Sequence, residues 1–338
     1  MAAKKPLNIE QKKRKLEKET SFRIDKENDS LIFHSQGFFS MKQVRYLLEY
    51  CFLLVITLCI NLIPFKNCKN FATFLKKGLS PLFNSTRKRI KENLNHAFPQ
   101  MPPEELELLI EENLIHTLTI FLETGQGKKL AKPNFVQRTI VPDNEEKVDE
   151  IINSGSVVIV EGHLGNWELP PAFLTGRGLN LDVSAAHIQN PYVDKMTAKI
   201  RSNYGCGVIY LEESKKLIRN LKKGFAIGLV ADQDAGHNGV FVPFFGRKAS
   251  TYTGPALLAW LTESRLEFFS CIRQEDGTYN MKTQTIEKKV SREKYPDKDQ
   301  AIVELTSKWV KALEDVARQY PEQYFWAHRR WKTRPATV

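Results

Sequence analysis

The sequence predicts an α/β fold, a central mixed β-sheet flanked by helices, preceded by an N-terminal membrane-anchoring helix. Three observations predict it. From about residue 145 onward, strand-like runs alternate with helix-like ones, the pattern of strands joined by crossover helices. The chain has 338 residues, 42% of them hydrophobic, enough to bury one substantial core. One largely apolar run, Cys51 to Ile60 with only Thr57 polar, stands well before that core and is bracketed by lysines.

Taken in order, residues 1–40 are strongly charged, with Lys12, Lys13, Arg14 and Lys15 in a row, and are expected to form a flexible tail. Residues 41–66 are expected to anchor the chain to a membrane. The stretch from Tyr46 to Phe65 reaches the roughly 20 residues a spanning helix needs only by including Glu49 and Asn61. Spanning the bilayer and lying at its surface both stay open. Residues 67–338 are expected to form the catalytic domain. Within it, 84–124 reads as two helices parted by the Phe98–Pro103 segment, the second carrying Leu106, Leu109, Ile110, Leu114, Leu118 and Phe121 at helical spacing. Strands are predicted over 156–160, 181–186, 207–211, 225–231, 267–273 and 279–286. Helices are predicted over 144–153, 169–175, 191–204, 213–222, 253–263 and 298–319.

The chemistry-bearing run is Val158-Ile-Val-Glu-Gly-His163-Leu-Gly-Asn-Trp-Glu168. An apolar strand enters a glycine turn that presents a histidine. Pro170 and Pro171 follow as a helix start, where a missing N–H has no partner to lose. A carboxylate five residues after the histidine can reach back to it, and a neutral imidazole oriented by a carboxylate is a general base suited to neutral pH. The spacing alone is weak, since about one such match is expected by chance. None of the other six histidines has an acid five residues on.

Four further stretches accompany that run. They are Arg87 to Pro99, containing Asn93 and ending Phe98-Pro99; Phe121-Leu-Glu123-Thr-Gly125; Ala231-Asp232-Gln233-Asp234 continuing to Gly246; and Pro321 to Pro335, containing Trp326, His328, Arg329, Arg330, Trp331 and Lys332. Together, and in this order over residues 40 to 335, they resemble the bacterial lipid A (lauroyl/myristoyl) acyltransferases. That family sits within the wider glycerolipid acyltransferase superfamily with its His-x4-Asp/Glu motif. The resemblance implies a glycerolipid acyltransferase-like domain that moves a fatty acyl chain from a thioester to a hydroxyl of a lipid A precursor. His163 would act as general base, oriented by Glu168. Gly165, Asn166, Arg201 and Asp232 are candidates for substrate binding or oxyanion stabilisation, with a charge pair expected between Arg201 and Asp232. Gly239 to Gly246 would supply acyl-chain walls or core packing. The donor would be acyl carrier protein or acyl-coenzyme A, a co-substrate, so that no cofactor is implied. The place implied is the cytoplasmic face of a bacterial inner membrane. Another glycolipid or a lysophospholipid as acceptor stays open, as does a non-catalytic basic protein that binds membranes or an acidic partner.

Composition narrows the partners. A formal charge of +11 favours an anionic membrane surface or an acidic protein. The basic residues are dispersed among acids, with no zinc-finger, RNP-like or basic-zipper pattern, which argues against nucleic acid. Cysteines 51, 59, 68, 206 and 271 have no metal-ligand spacing, and the sequence has no P-loop, no strand-linked GxGxxG and no HExxH. No metal is expected.

Overall fold

The computed structural model describes residues 40–335, so the charged tail lies outside the described residues. From Tyr46 onward the chain forms one unit. Among the described residues a seven-stranded sheet orders its strands β1-β9-β8-β2-β5-β3-β4. These are β1 (Ile140–Pro142), β2 (Val157–Gly165), β3 (Leu181–Ala185), β4 (Gly207–Tyr210), β5 (Ala226–Val230), β8 (Arg265–Arg273) and β9 (Tyr279–Glu287). Only the β8–β9 pair is antiparallel; the remaining neighbours run parallel. The sheet is therefore mixed, as expected. β2 lies at its centre and reads as an apolar run because both faces are covered.

The two faces bury alternate residues of β2. Val158, Val160 and Leu164 enter one core, shared with α3 (Asn84–Ala97), α4 (Pro103–Thr124), α11 (Gly254–Thr262) and α12 (Lys298–Gln319). Val157 and Ile159 enter the other, shared with α6 (Pro133–Thr139), α7 (Glu145–Asn153) and α8 (Leu169–Gly176). Period-two alternation within a two-sided apolar strand thus feeds a three-layer α/β/α sandwich.

The helices begin where capping chemistry places them. Asn144 and Asp297 accept the Lys147 and Gln300 N–H groups at 2.8 and 2.9 Å, starting α7 and α12. Proline opens α4, α6, α8 and α9 (Pro191–Asn203). Three short strands escape a reading by hydrophobic period. One is β1. The others are β6 (Val240–Phe244) and β7 (Arg247–Thr251), a hairpin whose turn residues Phe245 and Gly246 both have positive φ. Phe244 and Phe245 are buried in the first core, so the hairpin packs the domain.

At the N-terminus, α1 (Met41–Asn61) is the one helix among the described residues long and apolar enough to cross a membrane. Its most apolar window is only 11% buried, too little for a core helix. The chain then turns at Pro64 into α2 (Cys68–Gly78), which packs against α4.

Candidate active site

β2 places the site. His163 is the one residue of that strand not fully buried. The ladder to β8 shifts between Glu161 and Gly165, where the strand ends. Gly165 has φ +61, and a Cβ there would lie 1.9 Å from the Cys271 carbonyl oxygen. Only glycine fits. Asn166 then donates its N–H to that same oxygen at 2.8 Å, which turns the chain sharply off the sheet.

The parallel pairing of β2 with β5 decides which acid meets the histidine. Glu161 pairs with Val230, and Ala231 N–H donates to the Glu161 carbonyl at 3.0 Å. Asp232 therefore emerges level with His163, and its Oδ1 lies 2.6 Å from His163 Nδ1. Asp232 is buried. Burial pushes its carboxyl up, but the charge and hydrogen bond of His163, with Arg330 beyond, hold it down at about 2. An ionised Asp232 accepts from Nδ1–H and leaves the lone pair of the neutral ring on Nε2. The side chains of Trp167 and Phe325 flank the ring at centroid distances of 4.7 and 6.0 Å, and Gln233 Nε2 lies 3.5 Å from His163 Nε2.

Glu168 does not touch His163, contrary to the expectation that it orients the base. The turn at Gly165 carries Glu168 to the head of α8, facing α9. Arg201 Nη2 donates to its Oε1 at 2.6 Å, Arg201 Nε to its Oε2 at 3.2 Å, and the Tyr204 hydroxyl to Oε2 at 3.2 Å. The expected Arg201–Asp232 pair is likewise absent: each has a different partner, because β5 delivers Asp232 to β2 while α9 lies beyond α8. Burial lowers the Arg201 guanidinium, and Glu168 more than reverses this, leaving it above its ordinary range.

Asn166 is fully buried and works inside the protein. Its Nδ2 donates to Glu123 at 3.2 Å and its Oδ1 accepts the Glu168 N–H at 3.2 Å. Glu123 also accepts from Arg273 Nε at 3.0 Å and from the Tyr279 hydroxyl. Burial holds its carboxyl above the usual range despite these partners. A buried polar cluster on α4, β8 and β9 thus fixes the turn that presents His163. Glu161, two residues before the histidine, is buried with Oε2 unpartnered. Burial, and then the charge of Glu168, raises its carboxyl well above the usual range.

The carboxy-terminal run closes the site. Phe325 N–H donates to the His163 carbonyl at 2.8 Å. Asn93 of α3 donates to the carbonyls of Trp326 and His328, both at 2.7 Å, and Asn113 of α4 to that of Tyr324 at 2.6 Å. Arg330 is buried and donates to the Ser250 carbonyl and the Thr251 hydroxyl. Asp234 N–H donates to His328 Nε2 at 2.9 Å, tying this run to the segment of Asp232. Between α3, α4 and this run lies a groove of about 520 Å³. Leu114, Leu118, Phe121 and Phe325 make its apolar walls, and Arg89, Arg329 and Lys332 stand at its edge. Phe325 belongs both to this wall and to the surroundings of His163.

The five sequence stretches, scattered between Arg87 and Pro335, thus converge on one histidine. The sequence profile of the bacterial lipid A biosynthesis acyltransferases matches residues 39–333. The chain belongs to this family. Among curated relatives, the acyltransferase is 28% identical to the lipid A biosynthesis lauroyltransferase of Escherichia coli over 300 residues, 87% of this chain and 94% of that protein. It is 28% identical to the lipid A biosynthesis palmitoleoyltransferase of the same organism over 305 residues, 86% and 93% of the two chains. A lipid A biosynthesis acyltransferase of Haemophilus influenzae is 25% identical over 253 residues, 72% and 77% of the two chains. A solved 1-acyl-sn-glycerophosphate acyltransferase from Thermotoga maritima aligns at a TM-score of 0.35 and 12% identity, over 83% of this chain and 98% of that one. Among the described residues of the acyltransferase, no cluster of histidine, cysteine and acidic side chains has the arrangement of a metal site.

Proposed function

We propose that the enzyme transfers a fatty acyl chain from an acyl thioester, carried on acyl carrier protein or coenzyme A, to a hydroxyl of a lipid A precursor at an anionic membrane surface, the cytoplasmic face of a bacterial inner membrane. His163 Nε2 takes the proton of the acceptor hydroxyl as its oxygen attacks the thioester carbonyl carbon. The C–O bond forms, the C–S bond breaks, and the proton passes from the imidazolium to the departing thiolate. Asp232 holds the ring in the tautomer that makes Nε2 the base and stabilises the imidazolium in between. No acyl-enzyme and no cofactor enter the step.

The observation that carries this reading is the His163–Asp232 contact at 2.6 Å, set at the one partly open position of an otherwise buried strand. An acyl transfer also needs donors for the developing oxyanion. Gly165 and Asn166 are occupied in shaping the turn. The Trp167 N–H donates to no acceptor among the described residues, and it is the backbone donor we assign to that role. Glu168 and Arg201 brace one side of the site, and the apolar groove beside Phe325 receives hydrocarbon.

The test is mass spectrometry of lipid A from cells lacking a secondary acyltransferase and complemented with this chain. Wild type should add a single acyl mass, and His163→Ala should add none. A mass added by both would remove His163 from the mechanism. No mass added by a well-expressed, membrane-bound wild type would overturn lipid A as the acceptor.

A further inference from the structure

Between Tyr46 and Asn61, α1 has two faces of opposite character. Tyr46, Tyr50, Leu53, Thr57, Ile60 and Asn61 form a buried to half-buried stripe at helical spacing. That stripe is fastened to the catalytic domain at both ends. Near its start, Asn190 at the head of α9 donates to the Tyr46 carbonyl at 2.9 Å and to the Glu49 carboxylate at 3.0 Å, and the Tyr50 and Tyr192 rings lie 5.8 Å apart. Near its end, Asn61 donates to the Gly125 carbonyl at 3.2 Å, and Ile60 packs with Cys68, Ala72 and Leu122. The opposite face exposes Leu48, Phe52, Val55, Leu58 and Leu62.

From these contacts we infer that α1 lies within one leaflet of an anionic bilayer, its outward face in the hydrocarbon and its inward stripe on the domain, and does not cross the membrane. The two anchor points are fifteen residues apart, about 22 Å of helix. A crossing helix would draw the domain beside it through most of a core about 30 Å thick. The domain there is unsuited to hydrocarbon. α9 exposes Lys195 and Lys199, and Lys128 is exposed beside the other anchor. Charged side chains at such depth are costly, whereas an apolar face opposite a polar body fits a helix lying in the interface. Beyond the helix, Lys66, Lys69 and Lys77 are exposed with no acidic partner among the described residues, as an anionic headgroup layer would select. The inference rests on the proposed membrane association and is independent of the acceptor.

The chain carries its own probes. Cys51 and Cys59 are exposed on the outward face, on either side of its midline, while Cys68, Cys206 and Cys271 are buried. With Cys59→Ser or Cys51→Ser leaving one exposed thiol, a nitroxide on each can be located in mixed phosphatidylethanolamine–phosphatidylglycerol vesicles by oxygen and water-soluble nickel relaxation. Equal, shallow depths for both labels are expected. Depths differing by up to about 12 Å, the rise over eight helical residues, or two labels deep at the bilayer centre, would overturn the inference and leave membrane association standing. Two water-exposed labels would overturn both. Spin–spin broadening between copies would show the face covered by a second chain, and would overturn the inference as well.

Discussion

Residue by residue, the site depends on a few positions with no substitute. Gly165 is the sharpest case. Alanine there must hold a positive φ and push a Cβ into the Cys271 carbonyl at 1.9 Å, in the two central strands where nothing yields. Gly165→Ala should lose about 2 kcal/mol or more of stability, read by denaturant unfolding, and activity with it. Glu161 runs the other way. Its folded carboxyl is raised, so the folded state stays protonated while the unfolded state ionises, and stability falls as pH climbs through the ordinary carboxylate range toward the folded value. Glu161→Gln removes this dependence. The variant should gain on wild type by up to about 1.4 kcal/mol per pH unit across that window, as measured by unfolding at a series of pH values. A flat difference would place a charge partner at Glu161. His163 itself was legible in the sequence because glycines and an apolar strand mark a presented residue. Its partner was not, because Asp232 lies 69 positions away and is brought in by a strand pairing that no local spacing encodes.

At the scale of elements, apolar periodicity and caps carried the reading far. The six anticipated strands all form, as do the six helices that alternate with them, and the Phe98–Pro103 break separates α3 from α4. What stayed hidden was short or irregular. β1 has three residues, and β6–β7 turns through Phe245-Gly246, where a bulky residue at positive φ obscures the usual hairpin signal. Nothing local in the run Pro321 to Pro335 marks which of its basic residues is interior, yet Arg330 is one of the most deeply buried side chains. Its guanidinium bonds to β7, and a buried, hydrogen-bonded arginine looks in sequence like a solvated one. Glu123 shows the same limit: the sequence places it in a short motif without naming its partners, while in the fold it holds Arg273, Tyr279 and Asn166 together.

Across the whole molecule, the central parallel strands β2 and β5 bring His163 and Asp232 together at their carboxyl ends. Two layers of helix cover the faces, and the carboxy-terminal run returns to close the groove. In the proposed mechanism Asp232, and not Glu168, sets the tautomer of His163. Glu168 braces the turn through Arg201. The most direct test compares acyl-transfer rates of purified Asp232→Asn and Glu168→Gln with wild type, using acyl-carrier-protein thioester and a tetra-acylated lipid A precursor, each rate expressed per folded molecule. Asp232→Asn should keep its fold and lose roughly 10²–10⁴-fold in kcat, as expected when a positioned base is held in the wrong tautomer. Glu168→Gln should lose stability, having broken a largely buried, hydrogen-bonded ion pair, with the smaller loss in kcat. The reverse order, Asp232→Asn near wild type and Glu168→Gln silent in a stable fold, would contradict the account.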